Sequence, residues 1–149
     1  MTVRKQAKGE EKAYDGKPLE DMTLQDALIA VAAYAARESE PREVDAVKRV
    51  AEHAGEHPLF KESDESLYAR INHLINQMRT ESPRTMLSRA ARALTPELRE
   101  TGFRWATAIM GAHPGLSAEK RAVLEQLQVT LAIPAERAEN MMQDPGGRG

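Results

Sequence analysis

His53-Ala54-Gly55-Glu56-His57 is the one string in this sequence with the spacing of an enzyme motif. It matches H-x-x-E-H, in which two histidines four residues apart bind zinc and the adjacent glutamate acts as general base for hydrolysis. That chemistry requires the string inside a rigid helix together with a third ligand, whereas Gly55 and Pro58 place it at a helix end. A second group of candidate ligands is Glu38, Glu40 and Glu43. A hard cation such as Ca²⁺ takes six or more oxygen ligands, drawn in the best-known loops from alternating Asp and Asn with a glycine at the turn. Here Arg37 and Arg42 stand among the glutamates as competing counter-ions, and Glu40 and Glu43 also fit the acidic start of a helix. His73, between Ile71 and Leu74, reads as the flank of an apolar stripe. There is no Cys, which excludes disulfides, thiolate metal sites and cysteine nucleophiles, and no glycine-rich phosphate loop or Ser, His and acid grouping stands out.

The elements that position these residues are helical. Thr23 is an N-cap with Asp26 three residues on, and Leu24, Ala27, Leu28, Val31, Ala32 and Ala35 follow at helical spacing, which predicts a first helix to about Arg37. Pro41 opens a second, with the stripe Val44, Val47, Val50, Ala51 and Ala54, ending at Gly55. Ser63 caps a third, whose apolar face is Leu67, Ile71, Leu74, Ile75 and Met78. Ser82-Pro83 and Thr95-Pro96 are each a cap followed by a first-turn proline, predicting a short fourth helix on Met86, Leu87, Ala90, Ala91 and Leu94 and a fifth near 96–112. Ser117 starts a sixth through Leu131, and Pro134 a short seventh ending near Met142. Residues 1–22 and 143–149 read as flexible tails, too poor in apolar residues to offset the entropy of ordering them. One domain over 23–142 is expected, since a chain of 149 residues can bury roughly 70% of its unfolded surface without staples.

Composition narrows the partners. Apolar residues make up 41% of the chain and aromatic ones 4%, with Ala and Leu prominent and β-branched residues sparse, which favours helices over sheet. Twenty-one Lys and Arg against 23 Asp and Glu leave a net charge of −2, without the basic field that nucleic acid requires. Arg79, Arg84, Arg89 and Arg92 form the only basic cluster and have no aromatic partner, so other proteins are the expected partners rather than nucleic acid. Tyr34, Tyr68, Phe60, Phe103 and Trp105 are expected to anchor helix contacts. The longest apolar run, Ala27 to Ala36, is far below the roughly 20 residues of a membrane span, and residues 1–22 carry ten charges and no apolar block. No integral membrane segment and a cytoplasmic location are expected.

A weak internal echo organises these elements. The two nearly all-apolar segments, Ala27 to Ala36 and Trp105 to Ala112, are each followed by a short polar loop and an amphipathic helix. At an offset of 77, Val47, Val50 and Ala54 fall on Leu124, Leu127 and Leu131, so the second stripe keeps the phase of the first. Ala30-Val-Ala-Ala-Tyr-Ala-Ala36 leading to Pro41-Arg-Glu-Val-Asp-Ala-Val47, and Gly115-Leu-Ser-Ala-Glu-Lys-Arg-Ala-Val-Leu124 leading to Leu131-Ala-Ile-Pro134, resemble the tellurite-resistance TerB family. The resemblance spans Thr23 to Met142. It implies an all-α bundle of about seven helices with a duplicated helix-loop-helix unit, no catalysis, and a part in bacterial tellurite and chemical stress. It also implies divalent-cation binding through two acidic Asp-Gly loops. Both loops depart from that pattern, with Arg37-Glu38-Ser39-Glu40 in the first and His113-Pro114-Gly115 in the second. Glu43 and Glu119 match the acids of the following helices, and Glu38 and His113 fall close to the missing aspartates, so Glu38, Glu43, His113 and Glu119 are the metal residues the resemblance implies. Against this non-catalytic reading stand a zinc-dependent hydrolase built on His53, Glu56 and His57, and a pure adaptor with no metal.

Overall fold

In the computed structural model, residues 22–111 and 116–143 are described. Among them are seven α-helices and no strand: α1 (Leu24–Ser39), α2 (Glu43–Ala54), α3 (Asp64–Thr80), α4 (Pro83–Ala93), α5 (Pro96–Gly111), α6 (Ala118–Thr130) and α7 (Ala135–Gln143). The fold is an all-α single-domain bundle. Apart from Met22 and Gln143, the two tails predicted at the ends of the chain lie outside the described residues.

α1 is the axis of the bundle. Its residues from Ala27 to Ala33, with Ala35 and Ala36, are all buried, so it is apolar on every side. A helix buried all round needs partners all round, and α1 packs against α2, α3, α4, α5 and α6. Its alanines keep the axis thin and let those neighbours approach. The most extensive of these contacts is with α5, where Gly102 sits against Val31 and Leu28. A Cβ built on Gly102 would lie 3.2 Å from Val31 Cγ1, so the glycine sets the distance between the two central helices. The α2 face Val47, Val50 and Ala54 and the α6 face Leu124 and Leu127, continued by Leu131, all turn inward, as the matched stripes predict.

Sequence caps start most of the helices. The side chains of Thr23, Ser63, Ser82 and Ser117 accept backbone N–H bonds at the starts of α1, α3, α4 and α6. α2 differs: Pro41 lies outside it, Arg42 is extended and gives no side-chain cap, and the helix begins at Glu43. Val44, expected on its buried stripe, is 60% exposed, because the first turn of α2 projects past the core. Tyr68, expected to anchor a helix contact, is exposed as well.

Between the helices, charges tie ends together. Arg70 of α3 bonds Asp26 of α1 at 2.6 Å and Glu62, just before α3, at 2.9 Å. Glu62 is held below the usual carboxylate range, chiefly by that hydrogen bond from Arg70 and also by one from Ser66. Arg137 of α7 reaches Glu100 of α5, and Arg121 of α6 pairs with Glu139 of α7. The predicted basic cluster is dispersed: Arg79 belongs to α3 and pairs with Glu43, Arg89 is buried and pairs with Glu81, and Arg84 and Arg92 are exposed.

At the end of α6 the chain reverses through Ala132, whose φ of 57° is left-handed. The Ile133 N–H donates to the Gln128 carbonyl and closes a Schellman-type turn, a position that favours glycine.

Two substitutions test this packing and turn, each read by urea denaturation. Gly102→Val forces α1 and α5 apart and is expected to cost about 1–3 kcal/mol, the usual penalty of overpacking a core. Ala132→Gly relieves the left-handed strain and is expected to stabilise the fold by about 1 kcal/mol.

Candidate functional site

The H-x-x-E-H string folds as a helix exit. α2 ends at Ala54 with Gly55 as its C-cap, and the chain then turns, with His57 N–H donating to the Ala54 carbonyl at 3.0 Å and Phe60 N–H to the His57 carbonyl at 3.0 Å. Pro58 has no N–H to continue the α-helical ladder. Both imidazoles turn onto one indole: the His53 and His57 ring centroids lie 6.3 and 5.6 Å from that of Trp105 on α5, and Phe60 completes the cluster at 6.4 Å from the indole. Nδ1 of His57 accepts the Leu59 N–H at 3.2 Å, so that nitrogen is engaged in the turn. Burial lowers the pKa of His53, with Glu52 and Glu56 opposing and Arg49 adding to the shift. Glu56 itself is exposed. These rings seal the junction of α2 with α5.

The loop acids are placed apart. Glu43 opens α2 and is engaged by Arg79, Glu40 is engaged by Arg49 at 3.2 Å, and Glu119 lies exposed in the first turn of α6. Glu38, in the last turn of α1, faces a cleft described below. His113 lies outside the described residues. Among the described residues no three His, Asp or Glu side chains are grouped to hold a metal ion. With Glu43 and Glu40 committed to guanidinium groups, the donor set of the first loop does not fit a hard cation, which requires several free oxygens.

The cleft lies between α1, α4 and α6, open to solvent along one side, with a volume of about 760 Å³. Tyr34 and Glu38 come from α1, Arg84 and Leu87 from the first half of α4, and Gln126 and Val129 from α6. These positions follow from helical spacing. Tyr34 and Glu38 are one turn apart on α1, as are Ala122 and Gln126 on α6, with Val129 the next residue on that side. Leu124 and Leu127 hold α6 to the core and leave Val129 71% exposed at the cleft wall. The Tyr34 hydroxyl has its pKa raised, first by burial and then by Glu38, while Arg84 opposes the shift. A phenol, a carboxylate and a guanidinium from two helices thus share one electrostatic environment. Sequence reasoning took Tyr34 for core and did not single out Arg84, Gln126 or Val129 as a group. The readable trace was the second α6 stripe, Ala122, Gln126 and Val129, offset from the buried leucines.

No protein-family model, no curated protein and no solved structure matches this chain. No described helix is long and apolar enough to cross a membrane.

The His53 shift fixes the sign of an acid effect. Its folded pKa lies below the unfolded value of about 6.5, so the native state binds fewer protons than the unfolded chain. His53 therefore contributes nothing unfavourable above that value and destabilises the fold progressively as the pH drops below it. Thermal denaturation followed by circular dichroism is expected to show a smaller loss of Tm between pH 8 and pH 5.5 for His53→Phe than for the unmodified chain. Equal losses in the two proteins would show that another group carries the acid sensitivity.

Proposed function

We propose that this domain is a non-catalytic interaction module of the TerB type, which works by seating a partner protein in the cleft between α1, α4 and α6. The observation that carries this reading is the cleft itself, where an exposed Val129 and a part-buried Tyr34 stand beside two charged side chains, Glu38 and Arg84. Concave surfaces lined by apolar groups with a few polar ones are where proteins bind ligands and partners. The imidazole string favours no hydrolytic reading, because its rings are packed on Trp105 and its glutamate is exposed away from any grouped ligands. The resemblance to the TerB family supports a role in chemical stress, carried out through the partner rather than by chemistry in this chain.

Photocrosslinking in the native cell tests the reading. With p-benzoylphenylalanine at position 126, a discrete adduct is expected. The same residue at position 140, on the exposed side of α7, is expected to give none. Adding Val129→Asp to the first protein is expected to abolish the adduct. An adduct that survives Val129→Asp would place the partner elsewhere.

A further inference from the structure

The segment between α2 and α3 is pinned at both ends and held in between by very little. Ala54, the last residue of α2, is buried, and Glu62 is bonded by Arg70, which also reaches Asp26 of α1. Of residues 55–61 only Phe60 is buried, while Gly55, Glu56, Pro58 and Lys61 are exposed. Phe60 donates its N–H to the His57 carbonyl at 3.0 Å and joins the ring cluster around Trp105. An opening confined to these residues uncovers little apolar surface and leaves the helices in place.

Two imidazoles close this segment on α5. Nδ1 of His57 accepts the Leu59 N–H at 3.2 Å, and an imidazole nitrogen accepts a hydrogen bond only when it carries no proton. A proton on that nitrogen sets two donors against each other. His53, one helical turn back, is part-buried with its ring 6.3 Å from the Trp105 indole, and His57 meets the same indole edge-on at 5.6 Å.

The groups around the pair give the direction of its response. The charges acting on His53 all stand on α2 or its exit: Glu52 and Glu56 favour the imidazolium, and Arg49 opposes it. α5 turns the Trp105 indole to the pair, the segment itself turns Phe60 to His57, and α3 brings Leu67 beside Gly55. Neither imidazole is ion-paired with a described carboxylate. Burial outweighs the two glutamates and lowers the pKa of His53 in its seat. Glu52 and Glu56 are exposed, so an imidazolium that leaves the seam moves toward water and toward both acids.

We infer that the exit of α2, residues 53–61, is an acid-operated flap. With both imidazoles neutral it lies closed over Trp105, and protonation of His53 releases it from α5 while the helical bundle stays folded. His53 supplies the response to pH, and His57 the closure. The closed form binds fewer protons than the open one, so opening increases as the pH falls below the free imidazole value of about 6.5 and levels off below the lowered value of the seated ring. None of these groups lines the cleft of the interaction reading.

Native-state amide hydrogen exchange of the full chain, followed by NMR at pH 7.5 and pH 5 with and without low urea, tests it. The N–H groups of His57, Leu59 and Phe60 are expected to exchange through openings insensitive to urea, with protection at least tenfold below that of Ile29 in α1 and Ile71 in α3. Their protection is expected to fall at least threefold between pH 7.5 and pH 5, and this fall is expected to vanish in His53→Phe and in His53→Gln. His57→Ala is expected to leave Leu59 and Phe60 weakly protected at both pH values. Urea denaturation of each variant checks that it folds. Exit amides that share the protection and urea dependence of Ile29 and Ile71 overturn the flap, since the segment then opens only with the whole bundle. A fall that is absent from the unmodified chain, or that survives both His53 substitutions, overturns the acid response, and unchanged protection in His57→Ala overturns the closure.

Discussion

The close approach of α1 and α5 at Gly102 is the contact from which the rest of the bundle takes its spacing. With no side chain at that point, Val31 and Leu28 of α1 rest directly on the α5 backbone. α1 can then be surrounded, because alanines on its other sides hold α2, α3 and α4 at short range too. A central helix of larger residues would push these neighbours outward and open voids that the small side chains avoid. The cost falls on the surface. Neighbours gathered around one thin axis cannot all touch each other, and α6, which reaches α1 and α4 only in part, leaves a trough beside them.

Charge completes what packing leaves open. Arg70 fastens the start of α1 to the approach to α3, and Arg137 and Arg121 hold the small α7 to α5 and α6. Arg89 is the exception in being buried. Its guanidinium meets Glu81 across the α3–α4 junction, while its Nε has no hydrogen-bond partner among the described residues. A buried charge so held ties the body of α4 to Glu81 at the end of α3.

Much of this architecture is legible in the amino-acid order, because it is written in local terms. Ser63, Ser82 and Ser117 cap helices where a hydroxyl precedes a periodic stripe, and Leu67, Ile71, Leu74, Ile75 and Met78 are buried as their spacing requires. The features that escaped depend on relations between distant segments. Val44 shares the period of Val47 and Val50, but its burial depends on whether another helix reaches the first turn of α2. Arg89 looks like one of four surface arginines until Glu81 is placed beside it. His53 and His57 have the spacing of zinc ligands, and only the position of Trp105, some fifty residues away in the chain, shows what their rings face. The cleft belongs to the same class, since Tyr34, Arg84 and Val129 become neighbours only once three helices have been arranged. Glu43 and Glu119 were legible as first-turn acids of their helices, whereas no local signal could show that Arg79 takes up the first of them.

The ring cluster at the end of α2 also determines what the molecule reveals to light. Its single indole is committed to the seam between α2 and α5, among two imidazoles and a phenyl ring. Tryptophan emission therefore follows the closing of that seam as the chain folds. Tyr34 stands instead at the trough between α1, α4 and α6 and contributes to the phenol absorption band, so the seam and the trough carry separate chromophores within one small protein.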